Sequence, residues 1–405
     1  MRKNILLICG TLSQTKAMLA IGGQLAEHDC YYTPFYCDGH LLEASRRGQL
    51  DFTVLAGPLR ERTMACLRAA QVRVDERGEG RDYDLIVTCT DLIIQRNLAG
   101  KRIVLVQEGL TEPEGFLYWL VKHAGLPRVF ANTAAFGLSD RYEVFCVASE
   151  GSGELFRQKG VRPEKMIVTG IPNFDNADAY RENAFPSRDF VLVCTSNARE
   201  TFKYDDRLGF LRNADRVAGQ RRVIFKLHPA ENHERAIREI RSVTADPFIL
   251  TDGNTEQMIA NSEAVVAQYS TVAFTAALLG KEVHSYISPE HLRRVLPIQN
   301  RGMSARNIAD VCRACFDSHP VRLADVRALI ETRPVQPRPA ANIHLIPHGS
   351  VRALVYPVAS GLRHALRRTG RRTPPAPGPT LGADSSPPLS PDAPGSASAH
   401  QSAAR

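Results

Sequence analysis

Short, continuous apolar runs recur along the chain, and most end in a polar turn. A first series covers residues 4–9 (NILLIC), 31–36 (YYTPFY), 51–55 (DFTVL), 84–89 (DLIVTC), 103–107 (IVLVQ), 144–149 (VFCVAS) and 166–170 (MIVTG). Runs of this length without polar alternation mark strands covered on both faces, as in a parallel sheet. Helix-length stretches separate several of them, the first from about Gln14 to Glu27. A polar stretch, 177–188, follows with no apolar periodicity and one proline, which reads as a linker. A second series then begins at 189–194 (DFVLVC) and continues at 222–227, 247–250, 264–268 and 283–287, with a helix from about Val272 to Leu279.

The pattern predicts an α/β protein of two doubly wound, Rossmann-like domains, 1–176 and 189–335, facing each other across a cleft. Ligands of such sheets bind beyond the C-terminal ends of the strands. Residues 336–372 form a basic segment in which apolar residues alternate with arginine clusters. This segment reads as a solvated last helix or as a weak contact with an anionic membrane surface. From 373 to 405 the chain is rich in Pro, Ser and Ala, the composition of a disordered tail.

A chain of 405 residues suits two domains, and 43 % apolar residues suffice for two cores. The net charge of +8 is uneven: residues 351–405 hold seven Arg and two Asp, a net of +5, which leaves about +3 for the body. That is no nucleic-acid footprint. The apolar run Ile5 to Cys9 is too short for a signal peptide, and no run reaches the ~20 residues of a membrane span. The expectation is a cytoplasmic protein, or one peripheral at the inner face of the membrane. Four of the nine cysteines, Cys9, Cys89, Cys146 and Cys194, lie in or beside apolar runs, as small hydrophobes do. Cys312 and Cys315 form a lone CxxC inside a helical pattern, without the second ligand pair a zinc site needs.

Three strand ends carry polar groups. After 103–106 the chain reads Gln107-Glu108-Gly109, where Glu108 would project from the turn as a general base or cap a helix. After 222–227 comes His228-Pro229, an imidazole placed to meet phosphate or a leaving group, or to bond the turn. Lys226, two residues earlier, shares its strand face. After 264–268, Ser270 and Thr271 precede a helix, as an anion site or an ordinary cap. Gly10, Thr11 and Ser13 end the first strand, where acceptor or phosphate can sit. Arg199 and Lys203 follow the first strand of the second domain and are further phosphate candidates.

Together, Gln107-Glu108-Gly109, His228-Pro229 and Ser270-Thr271 resemble, in order, the acidic turn, HP pair and Ser-Ser/Thr pair of GT-B glycosyltransferases, nearest to bacterial sialyltransferases and related capsule enzymes. The stretch 271–283 is similar to one shared with CDP-glycerol glycerophosphotransferases and UDP-N-acetylglucosamine 2-epimerases. The resemblance implies a glycosyltransferase that takes a nucleotide-activated sugar and a glycan or lipid-linked acceptor in surface polysaccharide synthesis. It implies Glu108 as base, His228, Ser270 and Thr271 on the nucleotide phosphates, inversion at the anomeric carbon and a cytidine nucleotide. Gln107 departs from the family's acid, leaving Glu108 as the base. No Asp-x-Asp follows a strand, so neither a bridging metal nor another cofactor is implied. Two other readings stand beside it. One is an epimerase, whose Gly-Thr-Arg-Pro-Glu opening is here Gly10-Thr11-Leu12-Ser13-Gln14. The other is a non-catalytic nucleotide-sugar binding protein.

Overall fold

The computed structural model describes residues 2–201, 203–331 and 342–346. Two six-stranded parallel sheets form the frame. The first runs β2-β1-β3-β4-β5-β6, with β1 Asn4–Cys9, β2 Asp29–Pro34, β3 Leu85–Thr88, β4 Ile103–Val106, β5 Val144–Val147 and β6 Met166–Val168. The second runs β12-β11-β10-β7-β8-β9, with β7 Val191–Cys194, β8 Val223–Lys226, β9 Phe248–Leu250, β10 Ala264–Ala267, β11 Glu282–Ser285 and β12 Ile343–Leu345. The predicted pair of doubly wound domains is the fold the chain has.

Continuous apolar runs serve both faces at once. In β1, Ile5 and Leu7 face one core while Leu6 and Ile8 face the other. In β7, Leu192 and Cys194 face one core while Val191 and Val193 face the other. Alternate side chains point to opposite faces of a strand, so a strand buried on both sides shows no polar alternation. The order in which the chain adds strands reverses between β1 and β3 and between β7 and β10, while every pairing stays parallel. A crevice opens at the C-terminal edge of such a switch point.

Several sequence expectations change. Residues 51–55 are turn and bend, with the Thr53 hydroxyl bonded to the Leu50 carbonyl at 2.7 Å, while Val54 and Leu55 pack beneath the first sheet. Burial was legible there, but its form was not. The stretch 177–188 is no free linker: a short 3-10 turn spans Ala177–Arg181, the Asn183 side chain accepts from the Asn261 amide at 2.7 Å, and Phe185 joins the second core. The second domain also does not run unbroken to residue 335. The helices Ser304–Asp317 and Leu323–Glu331 cross back and pack on the first sheet through Ile308, Val311, Cys312, Cys315 and Val326. Cys312 and Cys315 are core residues there, fully buried. The chain returns to the second sheet as β12, a strand the sequence pattern did not announce.

The two crossings run side by side. The Ser304 amide donates to Asp175 at 2.8 Å, the Asn300 amide to the Asp175 carbonyl at 3.0 Å, and the Ala177 amide to Gln299 at 2.9 Å. No helix among the described residues is long and apolar enough to cross a membrane. The basic segment falls outside those residues except at 342–346, and the tail 373–405 lies wholly outside them.

Candidate active site at the cleft between the sheets

The wall on the first sheet is built over the end of β3. Thr11 caps the helix Leu12–Gly23, and Gln14 folds back to close a capping box. A Cβ on Gly10 would lie 1.8 Å from the Gln14 amide oxygen, so a side chain there would push Gln14 out of the box. Both box side chains then converge on Glu108 beyond β4. The Thr11 hydroxyl donates to one carboxylate oxygen at 2.8 Å and the Gln14 amide to the other at 2.6 Å. Burial pushes the Glu108 carboxyl above the ordinary carboxylate range, while these two hydrogen bonds pull it back. Ser13 lies alongside, where its hydroxyl and carbonyl oxygens both accept from the Asn173 amide at 2.8 Å.

Gln107 explains its own departure from an acid. Its buried amide accepts from the Ala148 N–H and donates to the Gly109 carbonyl, both at 2.9 Å. A carboxylate accepts only, so it would leave that carbonyl without its donor.

On the second sheet, the ends of β7, β8 and β10 are tied into one network. The His228 amide donates to the Glu231 carboxylate at 2.8 Å and to the Thr195 hydroxyl at 3.1 Å. Its ring Nδ1 accepts from the Ala230 amide at 3.1 Å. That contact places the neutral ring's proton on Nε2, which has no hydrogen-bond partner among the described residues. Burial holds the imidazole down at about 4, helped by Lys226 and by Arg62 from the first domain. His228 is therefore a neutral donor at physiological pH. Pro229 biases the preceding residue toward extended backbone, so the strand direction is kept to its last side chain.

Glu231 is held in turn by Arg207, 3 % exposed, whose guanidinium reaches Glu231 at 3.1 Å, Asp205 at 3.0 Å and the Ser196 carbonyl at 2.7 Å. Asp205 accepts from the Gln268 amide at 2.6 Å, and Gln268 also meets the Ser196 hydroxyl.

The walls touch. A Cβ on Gly109 would lie 2.7 Å from the Thr271 methyl, so a larger residue forces the Thr271 side chain to shift. The Tyr269 hydroxyl donates to the Thr111 carbonyl at 2.9 Å, and Lys203 pairs with Glu112. Gly109→Ala is expected to cost about 1–3 kcal/mol through overpacking. Adding Thr271→Ser, which deletes the opposing methyl, should restore most of the lost Tm. A Gly109→Ala variant as stable as the parent would refute this contact.

Sequence reasoning named three cations for phosphate that have other partners. Arg199 makes a two-point pair with Glu239 at 2.7 and 2.6 Å, and its Nε lies 3.1 Å from Asp205. Lys203 clasps Glu112 across the cleft. Lys226 donates to the Leu227 and Thr251 carbonyls at 2.9 and 3.0 Å. In each case carboxylates or carbonyls already surround the charge. Ser270 accepts weakly from the Val272 amide at 3.3 Å, whereas Thr271 makes no capping bond and packs on Gly109. Gln14 and Glu231 were missed, although each stands three residues after its partner, Thr11 and His228, at cap spacing. Two surface hollows, one beside Arg157 and Met166, the other beside Arg60 and Met64, hold no histidine and lie outside this network.

No protein-family model and no curated protein matches the chain. Solved structures similar to it include nucleotide-sugar proteins. A UDP-N-acetylglucosamine 2-epimerase aligns with TM-score 0.49 at 10 % identity, over 78 % of this chain and 97 % of that one. The Neisseria meningitidis UDP-GlcNAc 2-epimerase bound to UDP-GlcNAc gives 0.47 at 12 %, over 81 % and 98 %. Anabaena HepE in complex with UDP and glucose gives 0.45 at 13 %, over 91 % and 100 %. At these identities the likeness leaves the reaction open.

Proposed function

We propose that the chain is a glycosyltransferase that moves a sugar from a nucleotide donor on the second domain to a hydroxyl acceptor on the first. The observation that carries the reading is Glu108: a carboxylate raised by burial, held at both oxygens by Thr11 and Gln14, on a turn that touches the other domain. Such a group is suited to take a proton from an acceptor hydroxyl as the hydroxyl oxygen attacks the anomeric carbon. The bond from that carbon to the donor phosphate breaks, and the nucleotide leaves with the electron pair. His228 supplies a neutral Nε2–H to a phosphate oxygen, and the exposed Arg62, on the first domain, adds positive charge on the same side. A single attack from the face opposite the leaving group inverts the anomeric centre. Phe116 and Trp119, exposed on the helix that follows the Glu108 turn, favour an acceptor with an apolar carrier in glycan or polysaccharide synthesis.

The test is ligand-linked stability and turnover. A nucleotide that binds only the folded chain raises stability by RT ln(1 + [L]/Kd), about 2.7 kcal/mol at a hundredfold excess over Kd. CMP or CDP is expected to raise Tm more than UMP or UDP without added metal, and the matching nucleotide sugar should be hydrolysed slowly without acceptor. A larger shift with UDP overturns the cytidine preference. Conversion of a UDP-sugar into its epimer with no acceptor establishes the epimerase instead. No shift with any nucleotide overturns the transferase.

A further inference from the structure

Away from the cleft, the far edge of the second sheet gathers three side chains whose chemistry the proposed reaction does not use. Glu282 and His284 are two residues apart on β11, so they share a face. His344 on β12 is the parallel register partner of His284. The two imidazoles lie face to face, with centroids 4.6 Å apart and planes 16° from parallel. One oxygen of Glu282, Oε1, stands 2.7 Å from His284 Nε2 and 4.0 Å from His344 Nε2. All three ligand atoms fall within 4.8 Å of one another.

Two further facts point to a missing partner. His344 Nε2 is buried and has no hydrogen-bond partner among the described residues. Buried polar atoms are satisfied in the great majority of cases, so such an atom calls for an explanation. The second Glu282 oxygen, Oε2, is taken by Arg221 at 3.1 Å, which turns Oε1 toward the imidazoles. Carboxylates that ligate metals are oriented by outer partners in the same way.

We propose that Glu282, His284 and His344 bind one divalent transition-metal ion of the zinc type, which fastens the edge strand β12 to β11. Two imidazoles and a carboxylate are the ligand set of borderline metals, and three protein ligands leave a fourth position for water. Metal–ligand bonds of about 2.1 Å in tetrahedral geometry require ligand atoms roughly 3.4 Å apart. The observed separations of 2.7 and 4.0 Å bracket that value, so small side-chain rotations bring the atoms into place. Glu282 begins β11, at the edge opposite the strand ends that carry His228 and Ser270, so the ion takes no part in sugar transfer. Its role follows from topology. The chain leaves the second sheet, packs two helices on the first, and returns as β12; the ion would pin that return.

The test uses the whole chain after dialysis against a chelator. Titration with zinc chloride alone, read by calorimetry and by metal content after gel filtration, is expected to show one ion per chain and a rise in Tm. Cobalt chloride should produce visible absorption bands of a low-symmetry, nitrogen- and oxygen-bound ion. His284→Ala and His344→Ala should each weaken zinc binding at least tenfold and abolish the Tm rise. Because an alanine can also loosen the edge strand, His344→Gln, which keeps most of the side-chain volume, serves as the second variant and should lose the cobalt bands with a native circular dichroism spectrum. Unchanged zinc stoichiometry and cobalt bands in the double variant His284→Ala/His344→Ala would place the ion elsewhere and overturn the site. So would the absence of any bound zinc in the parent. None of these readouts depends on the transferase reading.

Discussion

Glu108→Gln is expected to lower turnover with acceptor by about 10²–10⁴-fold, the usual worth of a general base. The nucleotide-induced rise in Tm should stay intact, because the proposed donor site lies on the other domain. The fold should tolerate the change. Thr11 and Gln14 both donate to Glu108, and a glutamine can accept from only one of them without adjustment. The Thr11 hydroxyl also accepts, so it can turn to meet the new amide, at a cost of about 1 kcal/mol. The pH dependence gives an independent check. A protonated carboxyl cannot take a proton, so turnover should fall as pH drops through the raised value of Glu108. This acid limb should lie above the ordinary carboxylate range and vanish in the glutamine variant. Stability carries the opposite sign. A carboxyl raised in the folded state stabilises the fold below its unfolded value, and that contribution is lost as pH rises through the folded value. The variant lacks this titration, so its stability relative to the parent should improve as pH rises through the folded value of Glu108, set against the cost of the rearranged hydrogen bonds. His228 works the other way: its neutral form is favoured in the fold, so stability falls as pH drops from 6.5 toward about 4. A Glu108→Gln enzyme with the parent's kcat would remove Glu108 from the chemistry.

The frame was legible in the sequence because strands buried on both faces leave continuous apolar runs, and nearly every such run became a strand. The exceptions have physical causes. Residues 51–55 carry the composition of a strand, yet pack as a turn, since burial alone does not dictate hydrogen-bond pattern. The helix Ser304–Asp317 is plainly amphipathic, but amphipathicity does not say which sheet the apolar face will meet. In the site, the strand-end positions of Glu108 and His228 could be read directly. The cations could not: Arg199, Lys203 and Lys226 show their charge in the sequence and conceal their partners, Glu239, Glu112 and two backbone carbonyls. Thr271 reads in the sequence as an anion site or a helix cap; its side chain makes no capping bond, and its methyl stands where a Cβ on Gly109 would lie. The pairs Thr11–Gln14 and His228–Glu231 show that a spacing of three residues after a strand end held signal that was passed over.

Glu231→Ala is expected to be the most damaging single change to the second domain, at about 3 kcal/mol. Removing one partner of a buried ion pair typically costs about 3–5 kcal/mol, because the surviving charge is left uncompensated. Arg207 and the Glu231 carboxylate are both almost fully shielded from solvent, so screening by water does not soften the loss. The lower end applies because Arg207 keeps Asp205 and the Ser196 carbonyl. The same substitution deprives the Thr195 hydroxyl and the His228 amide of an acceptor. His228 would then lose one of the two bonds its amide donates, and nucleotide affinity should fall together with Tm. Glu231→Gln separates the two effects: it retains an acceptor for the His228 amide but gives up the charge, so it should recover affinity more fully than stability. The stranded charge itself can be tested by a cycle. Adding Arg207→Met to Glu231→Leu removes both ions, and Asp205 retains the Gln268 amide and the nearby Arg199. The pair should be less destabilised than the sum of its parts by about 1 kcal/mol or more, as contacting residues are. Strict additivity would mean that Arg207 and Glu231 do not stabilise each other, and the hold of Glu231 on the His228 amide would not depend on the ion pair.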